Sequence, residues 1–165
     1  MTTRDAFMDY LMTAPKPVEI ARAAAKVPSA EYYIAYGSNL NLRQMQFRCP
    51  KAKPVMAVEL QGWELVFRYY CDIEPREGST VPVGIFQITA DCERALDRYE
   101  GFPRLYRKEY IDLPIGRALV YTMNSVNETG RDYQKPDRHY EQTVRQGYAD
   151  FELKTVALND ALANV

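Results

Sequence analysis

Histidine is nearly absent from this 165-residue chain, which contains only His139. A single imidazole cannot build most zinc sites, and it leaves no separate imidazole base for a catalytic triad or dyad. His139 lies between Arg138 and Tyr140, which is more typical of a surface residue, although a Cys–His pair through His139 stays open. We therefore expect no metal site, and any chemistry at the site should not depend on an imidazole.

Cysteine is also scarce, since Cys49, Cys71 and Cys92 are odd in number and form no CxxC pair. This pattern argues against a disulfide framework and predicts reduced thiols in a cytoplasmic protein. No run approaches the roughly 18 apolar residues of a membrane span, and the N-terminus lacks the apolar segment of a signal peptide. We expect a soluble cytoplasmic protein without a membrane partner.

Neither charge is in excess, because 21 Lys and Arg stand against 22 Asp and Glu. A net charge of −1 gives no broad basic surface, so we expect no nucleic-acid partner. One local basic run is interpreted as a solvated helix face and its following loop: Arg43, Arg48, Lys51 and Lys53. Neither GxGxxG nor GxxxxGKS/T occurs, so the usual nucleotide-binding motifs are missing.

Two regions of the chain differ in pattern. Residues 1–30 carry a short amphipathic patch around Phe7 and Leu11 that prolines interrupt, and we predict a helical extension there. Such an arm could pack on the domain, fray, or contact a partner or a second copy of the chain, which would give a homo-oligomer. Residues 31–165 are long enough for one domain with its own core.

Residues 31–165 are predicted to form an α+β domain. Helical patterns occupy the tail, and apolar runs separated by Gly, Pro and Asp clusters indicate strands at 55–60, 63–70, 81–88, 106–113 and 118–123. Spacing this short leaves little room for parallel crossovers. We therefore expect a small mixed or mainly antiparallel sheet, or a small β-barrel, with flanking helices. Gly62 lies between two of the runs and predicts a tight turn.

A strand through residues 32–35 ends abruptly at a loop formed by Tyr36, Gly37, Ser38, Asn39 and Leu40, and a helical pattern follows. Gly37 permits a left-handed conformation or a close backbone approach. Ser38 and Asn39 are good turn and N-cap residues, which leave N–H groups at a helix start pointing outward. Such groups can bind a carboxylate or an oxyanion, although plain helix capping explains the same residues.

A short helix is predicted between a Thr89 N-cap and Gly101, with a buried stripe of Cys92, Ala95, Leu96 and Tyr99. Glu100 lies at the edge of this stripe. Partial desolvation, the negative end of the helix dipole and the charge of Asp97 all favour its protonated form, so we predict a raised pKa for Glu100. Such a glutamate can act as general acid and base, whereas exposure or pairing with Arg104 or Arg107 would give it no such role.

Together, the loop at 36–40 and the segment at 96–103 resemble the gamma-glutamyl cyclotransferase-like family. That family joins a YGSNL-type loop to a single glutamate in an LDxYEG context, and both motifs occur here in the expected order. The resemblance extends through residues 41–50, the run at 60–67 and the tail with Tyr140 and Gly147. It covers roughly residues 31–160.

The resemblance implies a small mixed barrel with flanking helices, whose cavity binds a small-molecule γ-glutamyl substrate and releases 5-oxoproline without a metal or an organic cofactor. The substrate's own α-amine is the nucleophile, which removes the need for a Ser or Cys. Glu100 would take a proton from the substrate's ammonium and return one to the departing amine.

The resemblance also implies roles for the other motif residues. The N–H groups around Gly37, Ser38 and Asn39 would hold the substrate α-carboxylate or the developing oxyanion, and Tyr36 would help to shape that cradle. Tyr106 and Tyr140 match family tyrosines near the pocket, with core packing as the alternative for each.

The chain departs from the family pattern in two places. Residues 1–30 have no counterpart in the compact family domain, and Glu152 occupies the second glycine position of the family's Gly-Ala/Tyr-x-Glu-x-Gly-Leu tail, which puts the local turn in doubt. A rival hypothesis retains the fold as a non-catalytic domain that binds a small carboxylate or another protein, although such a domain would have no need for Glu100.

Overall fold

The structure is a computed structural model that describes residues 31–165. The helical extension predicted at residues 1–30 lies outside the described residues. The elements are β1 (Glu31–Ala35), a 3-10 turn (Ser38–Leu40), α1 (Leu42–Arg48), β2 (Lys53–Arg68), β3 (Tyr70–Ile88), α2 (Ala90–Glu100), β4 (Tyr106–Leu113), β5 (Gly116–Met123), α3 (Val126–Thr129), α4 (Arg138–Asp150) and α5 (Val156–Ala163). The predicted α+β class is confirmed.

The strands form a five-stranded mixed sheet in the order β2-β3-β1-β5-β4. Neighbouring strands are antiparallel except for β1 and β5, which run parallel, with Tyr33 opposite Leu119. Ile34 and Ala35 in the central strand β1 are completely buried, as expected for a strand that is covered on both faces. We predicted either a sheet or a small β-barrel, and this strand order is that of a sheet, with β2 and β4 at its edges.

The prediction of a tight turn at Gly62 is wrong. Residues 53–68 form one continuous strand, and Gly62 has a φ of 80° where the pairing with β3 changes register between Gln61 and Trp63. A positive φ serves a β-bulge as well as a turn, and here it bends the strand without ending it. The chain reverses instead at Tyr69, with a φ of 68°.

The helix predicted between Thr89 and Gly101 is confirmed at both ends. The Thr89 side chain accepts a hydrogen bond from the Cys92 N–H, and Gly101 is left-handed with a φ of 64°. Cys92 and Leu96 are buried, but Tyr99 is 43% exposed and does not belong to the buried stripe as predicted. Its ring lies at the last turn of α2, where the Arg48 guanidinium covers it at 3.5 Å from the ring centroid.

Helix α4 holds the loop that follows β1. A Cβ placed on Gly147 would lie 2.5 Å from Leu40 Cβ, so only glycine allows this approach. Asp150 Oδ2 accepts a hydrogen bond of 2.9 Å from the Leu42 N–H at the start of α1. Glu152, at the position of the second family glycine, has a φ of 54°, so the left-handed turn forms here without glycine.

No helix in the part of the chain that the structure describes is long and apolar enough to span a membrane. Within residues 31–165, no three His, Cys, Asp or Glu side chains are grouped closely enough to hold a metal ion.

Candidate active site

The loop after β1 and the C-terminal end of α2 open into the same cleft. Most of the predicted site residues line it: Tyr36, Gly37, Ser38, Asn39, Glu100, Tyr106 and Tyr140. Leu40 is the exception, because its side chain is completely buried beneath α4 at Gly147 and points into the core. Two motifs that lie about sixty residues apart in sequence therefore form one site in the fold, apart from Leu40.

Asn39 connects the two motifs. Its Nδ2 donates to Glu100 Oε1 at 2.8 Å and to the Tyr33 hydroxyl at 2.8 Å. Its Oδ1 accepts a hydrogen bond of 2.6 Å from Arg48 Nη1. The carboxyl group of Glu100 is thereby held by the loop and not by Arg104 or Arg107, of which Arg107 bonds Glu109 instead.

Burial raises the pKa of Glu100 from 4.5 to about 7, against the opposing effects of the Arg48 charge and the Asn39 hydrogen bond. The predicted direction is correct, but the contribution predicted for Asp97 is not found. The Asp97 carboxylate accepts a hydrogen bond of 2.6 Å from the Tyr121 hydroxyl and pairs with Lys108 at 2.9 Å. Its charge is therefore compensated locally, and desolvation is the main cause of the raised pKa of Glu100.

The loop presents unpaired backbone donors. The N–H groups of Leu40 and Asn41 bond the carbonyls of Gly37 and Ser38, whereas the N–H groups of Gly37, Ser38 and Asn39 donate to no backbone group in residues 31–165. Gly37 has a φ of −122°, so it is not left-handed. A Cβ at Gly37 would lie 2.8 Å from Cys71 Cβ, and a close approach to β3 is what requires glycine here.

The tyrosine hydroxyls around the cleft differ in hydrogen-bonding direction. Tyr36 and Tyr106 donate to the carbonyls of Tyr121 and Cys71, at 2.6 Å and 2.7 Å, which leaves oxygen lone pairs for another group. Tyr140 accepts a hydrogen bond of 3.1 Å from the Cys71 N–H, so its own O–H remains a donor. Burial raises the pKa of all three phenols, which are therefore neutral.

Sequence reasoning missed four residues of this region. Tyr33, Cys71 and Tyr121 also line the cleft, and Arg48 lies directly behind Asn39. Arg48 was interpreted as part of a solvated basic run, but it is half-buried and its guanidinium also bonds Gln44 Oε1. The spacing of Gln44 and Arg48 along one helix face was the available signal.

The cleft has a cavity volume of about 20 Å³, room for about one water molecule. A larger cleft of about 410 Å³ lies between β2, β3 and α5 and contains none of the predicted site residues. The chemistry-bearing side chains thus converge on the smaller of the two.

Comparison with known proteins gives one family match. Residues 33–142 match the model of the family described as "Gamma-glutamyl cyclotransferase, AIG2-like". Comparison with the curated proteins gives no significant match.

Several solved structures share the fold. A structure titled "Gamma-glutamyl cyclotransferase" is 19% identical with a TM-score of 0.67, over 81% of this chain and 87% of that one. The human uncharacterized protein loc79017 is 18% identical with a TM-score of 0.65, over 83% of this chain and 88% of that one. YkqA from Bacillus subtilis is 19% identical with a TM-score of 0.65, over 82% of this chain and 55% of that one. At these identities the likeness concerns the fold.

Proposed function

The chain belongs to the gamma-glutamyl cyclotransferase, AIG2-like family, and we propose that it is an enzyme that cyclises a γ-glutamyl amide. The substrate's α-amino nitrogen attacks its own γ-glutamyl carbonyl carbon, the C–N bond to the departing amine or amino acid breaks, and 5-oxoproline is released. The observation that carries this proposal is the hydrogen bond of 2.8 Å between Asn39 Nδ2 and Glu100 Oε1, which joins the loop to the glutamate in one cleft.

Glu100 is the proposed general acid and base. Asn39 binds its Oε1, and no hydrogen bond to Oε2 is found within residues 31–165, so Oε2 is free to exchange protons with a substrate. The lactam nitrogen retains one of the three ammonium protons, and the leaving nitrogen takes the other two to depart as an ammonium ion. Because the pKa of Glu100 is raised to about 7, the carboxyl can take and return a proton near neutral pH.

The loop is the proposed electrostatic half of the site. The N–H groups of Gly37, Ser38 and Asn39 would bind the substrate α-carboxylate or the oxyanion that develops on the attacked carbonyl. Since these donors are held in place before the substrate arrives, they stabilise the developing charge with little reorganisation.

The hydrogen-bonding direction of each tyrosine hydroxyl suggests which group of the substrate it contacts. The lone pairs of Tyr36 and Tyr106 suit the α-ammonium group, which has only donors. The O–H of Tyr140, whose oxygen accepts from the Cys71 N–H, can donate to a substrate carbonyl or carboxylate oxygen. This arrangement would hold the nitrogen near the carbon that it attacks, which supplies much of the acceleration in an intramolecular reaction.

The cleft must widen to admit a γ-glutamyl group, because its volume is about 20 Å³. Tyr99 makes the contact across the rim that a substrate can most readily replace. It is 43% exposed, and its hydroxyl shares one hydrogen bond of 3.1 Å with Ser38 Oγ. We propose that the substrate replaces this bond at Ser38 Oγ, while the Tyr99 ring remains stacked against Arg48.

The test is to incubate the protein and its Glu100→Gln variant with a panel of γ-glutamyl amino acids, γ-glutamyl amines and γ-glutamylated peptides, and to measure 5-oxoproline by mass spectrometry. Glutamine keeps the size of the side chain and an oxygen for Asn39 but cannot take a proton, so turnover should fall by about 10²-fold or more. Glu77→Gln is the matched control, because it removes the same charge from an exposed position.

The outcomes separate the proposal from its rival. Equal turnover by the wild type and Glu100→Gln would refute the role of Glu100. A wild type that forms no 5-oxoproline from the whole panel, yet binds glutamate or 5-oxoproline in calorimetry, would instead indicate a domain that binds small carboxylates without catalysis.

A further inference from the structure

Arg48 lies behind the site, at the C-terminal end of α1, and its contacts converge on Asn39. The guanidinium donates to Asn39 Oδ1 at 2.6 Å and to Gln44 Oε1, and it stacks over the Tyr99 ring at 3.5 Å from the centroid. Three partners from α1, α2 and the loop thus hold one planar group in place. A guanidinium with this many contacts keeps a single orientation better than a free surface arginine does.

The chemistry of arginine decides which end of the Asn39 amide faces it. The oxygen and nitrogen of an asparagine amide are nearly the same size, so packing alone does not distinguish the two orientations. Arginine has five N–H donors and no acceptor, and only Oδ1 can therefore face Arg48. In the opposite orientation the amide NH₂ would point at a cation.

The orientation that Arg48 selects also decides which atom of the Asn39 amide faces Glu100. With Oδ1 toward Arg48, both Nδ2 protons are used, one on Glu100 Oε1 and one on the Tyr33 hydroxyl, each at 2.8 Å. A reversed amide would place Oδ1 against the Glu100 carboxylate, an arrangement that is acceptable only when Glu100 is protonated. Arg48 therefore donates to Asn39, and Asn39 in turn donates to Glu100.

We propose that Arg48 is a positioning residue, which fixes the Asn39 side-chain amide so that Nδ2 and not Oδ1 faces the Glu100 carboxyl. Its importance for catalysis rests on the proposed function, but the orientation itself is a property of the free protein. Without Arg48, Asn39 could present either end to the carboxyl, and Glu100 would lose its fixed hydrogen-bond donor.

The other titratable groups around Glu100 carry no charge that could oppose the effect of burial on its pKa. They are Tyr33, Tyr36, Cys71, Tyr106, Tyr121 and Tyr140. Burial raises the pKa of each, so all are neutral where Glu100 titrates. Arg48 is the charged residue that opposes the effect of burial on the pKa of Glu100.

The test is a titration of the Glu100 carboxyl carbon by ¹³C NMR in the protein without substrate, with the signal assigned from its loss in Glu100→Gln. Arg48→Met removes the donors and the charge and should raise the pKa of Glu100 by about one pH unit or more. Arg43→Met is the matched control, since Arg43 is exposed on the same helix and its replacement should leave the titration unchanged.

A double variant separates positioning from the direct effect of charge. In an Asn39→Ala background, Arg48→Met should shift the Glu100 titration less than it does alone, because only the direct effect of the Arg48 charge is then lost and there is no amide to orient. An equal shift in both backgrounds would overturn the proposal in favour of a purely through-space effect of the Arg48 charge. A Glu100 midpoint in Arg48→Met that equals the wild-type midpoint would also overturn the proposal.

The wild-type protein offers a second measurement, which tests the Asn39–Glu100 contact on which the proposal depends even where Arg48→Met does not fold. The Asn39 side-chain NH₂ signals should titrate with the same midpoint as Glu100, and their independence from that midpoint would refute the contact. Because neither measurement uses a substrate, both remain valid if no γ-glutamyl compound is turned over. A failed activity panel and a failed positioning role are thus distinguishable.

Discussion

Replacing Glu100 by glutamine should stabilise the protein at and above neutral pH, although it removes the proposed activity. Burial raises the pKa of the folded-state carboxyl from 4.5 to about 7. One pH unit of difference between the folded and unfolded states corresponds to about 1.4 kcal/mol, so ionising Glu100 in the fold costs about 3 kcal/mol. Because Glu100 is only partly buried, we expect solvent screening to reduce this to about 2–3 kcal/mol.

The sign and the pH window follow from the same shift. Below about pH 4.5 the carboxyl is neutral in both states, and the wild type loses nothing relative to Glu100→Gln. Between pH 4.5 and about 7 the unfolded state ionises first, so the stability of the wild type falls relative to that of the variant. Above about pH 7 both states are ionised and the difference becomes constant.

The assay is urea unfolding of both proteins at several pH values from about 4.5 to about 8, followed by far-ultraviolet circular dichroism. The free energy of unfolding of Glu100→Gln minus that of the wild type should grow with pH and then level off. Glu77→Gln removes an exposed carboxylate from β3 and should show no such growth. A difference that stays flat, or that shrinks as pH rises, would mean that the Glu100 carboxyl is solvated and would refute the reasoning.

Further expectations follow from the contacts around the loop. The proposed activity should rise with pH as Glu100 ionises, with kcat/KM reaching half its plateau near pH 7. Gly147→Ala should lower the free energy of unfolding by about 1–3 kcal/mol and reduce turnover, because its Cβ would lie 2.5 Å from Leu40 Cβ. Urea titration and the 5-oxoproline assay measure both effects, and an equally stable, fully active variant would contradict this packing. Asp150→Ala should cost about 1–3 kcal/mol in the same titration, since the Leu42 N–H loses its acceptor at 2.9 Å, whereas Asp150→Asn keeps an oxygen and should cost less.

Features that depend on neighbouring residues were predictable from the sequence. The ends of α2 follow from Thr89 and Gly101, because a cap and a left-handed residue act within one helical turn. Gly62 shows the limit of such local signals, since a positive φ fits a bulge and a turn equally well. Only the pairing of residues 53–68 with β3 decides between them.

Only the parts of the site that belong to a sequence motif were predictable. The raised pKa of Glu100 followed from its place on the helix, but the partners of Asp97 come from β4 and β5, and no spacing within α2 reveals them. Tyr33 and Tyr121 enter the cleft from β1 and β5, strands that pair only in the folded sheet. Arg48 looked like a solvated cation because its role depends on the stack with Tyr99 in a different helix.

The loop between β1 and α1 is held by close backbone contacts on two sides. Gly37 meets Cys71 of β3 on one side, and Leu40 meets Gly147 of α4 on the other, each with too little space for a Cβ on the glycine. In the proposed reaction, a loop confined in this way would not adapt to each substrate, and its N–H groups would act as fixed donors. Fixed donors favour the transition state more than the ground state when they lie where charge develops. If the proposed reaction occurs, displacing the loop by Gly147→Ala should therefore lower kcat more than it raises KM.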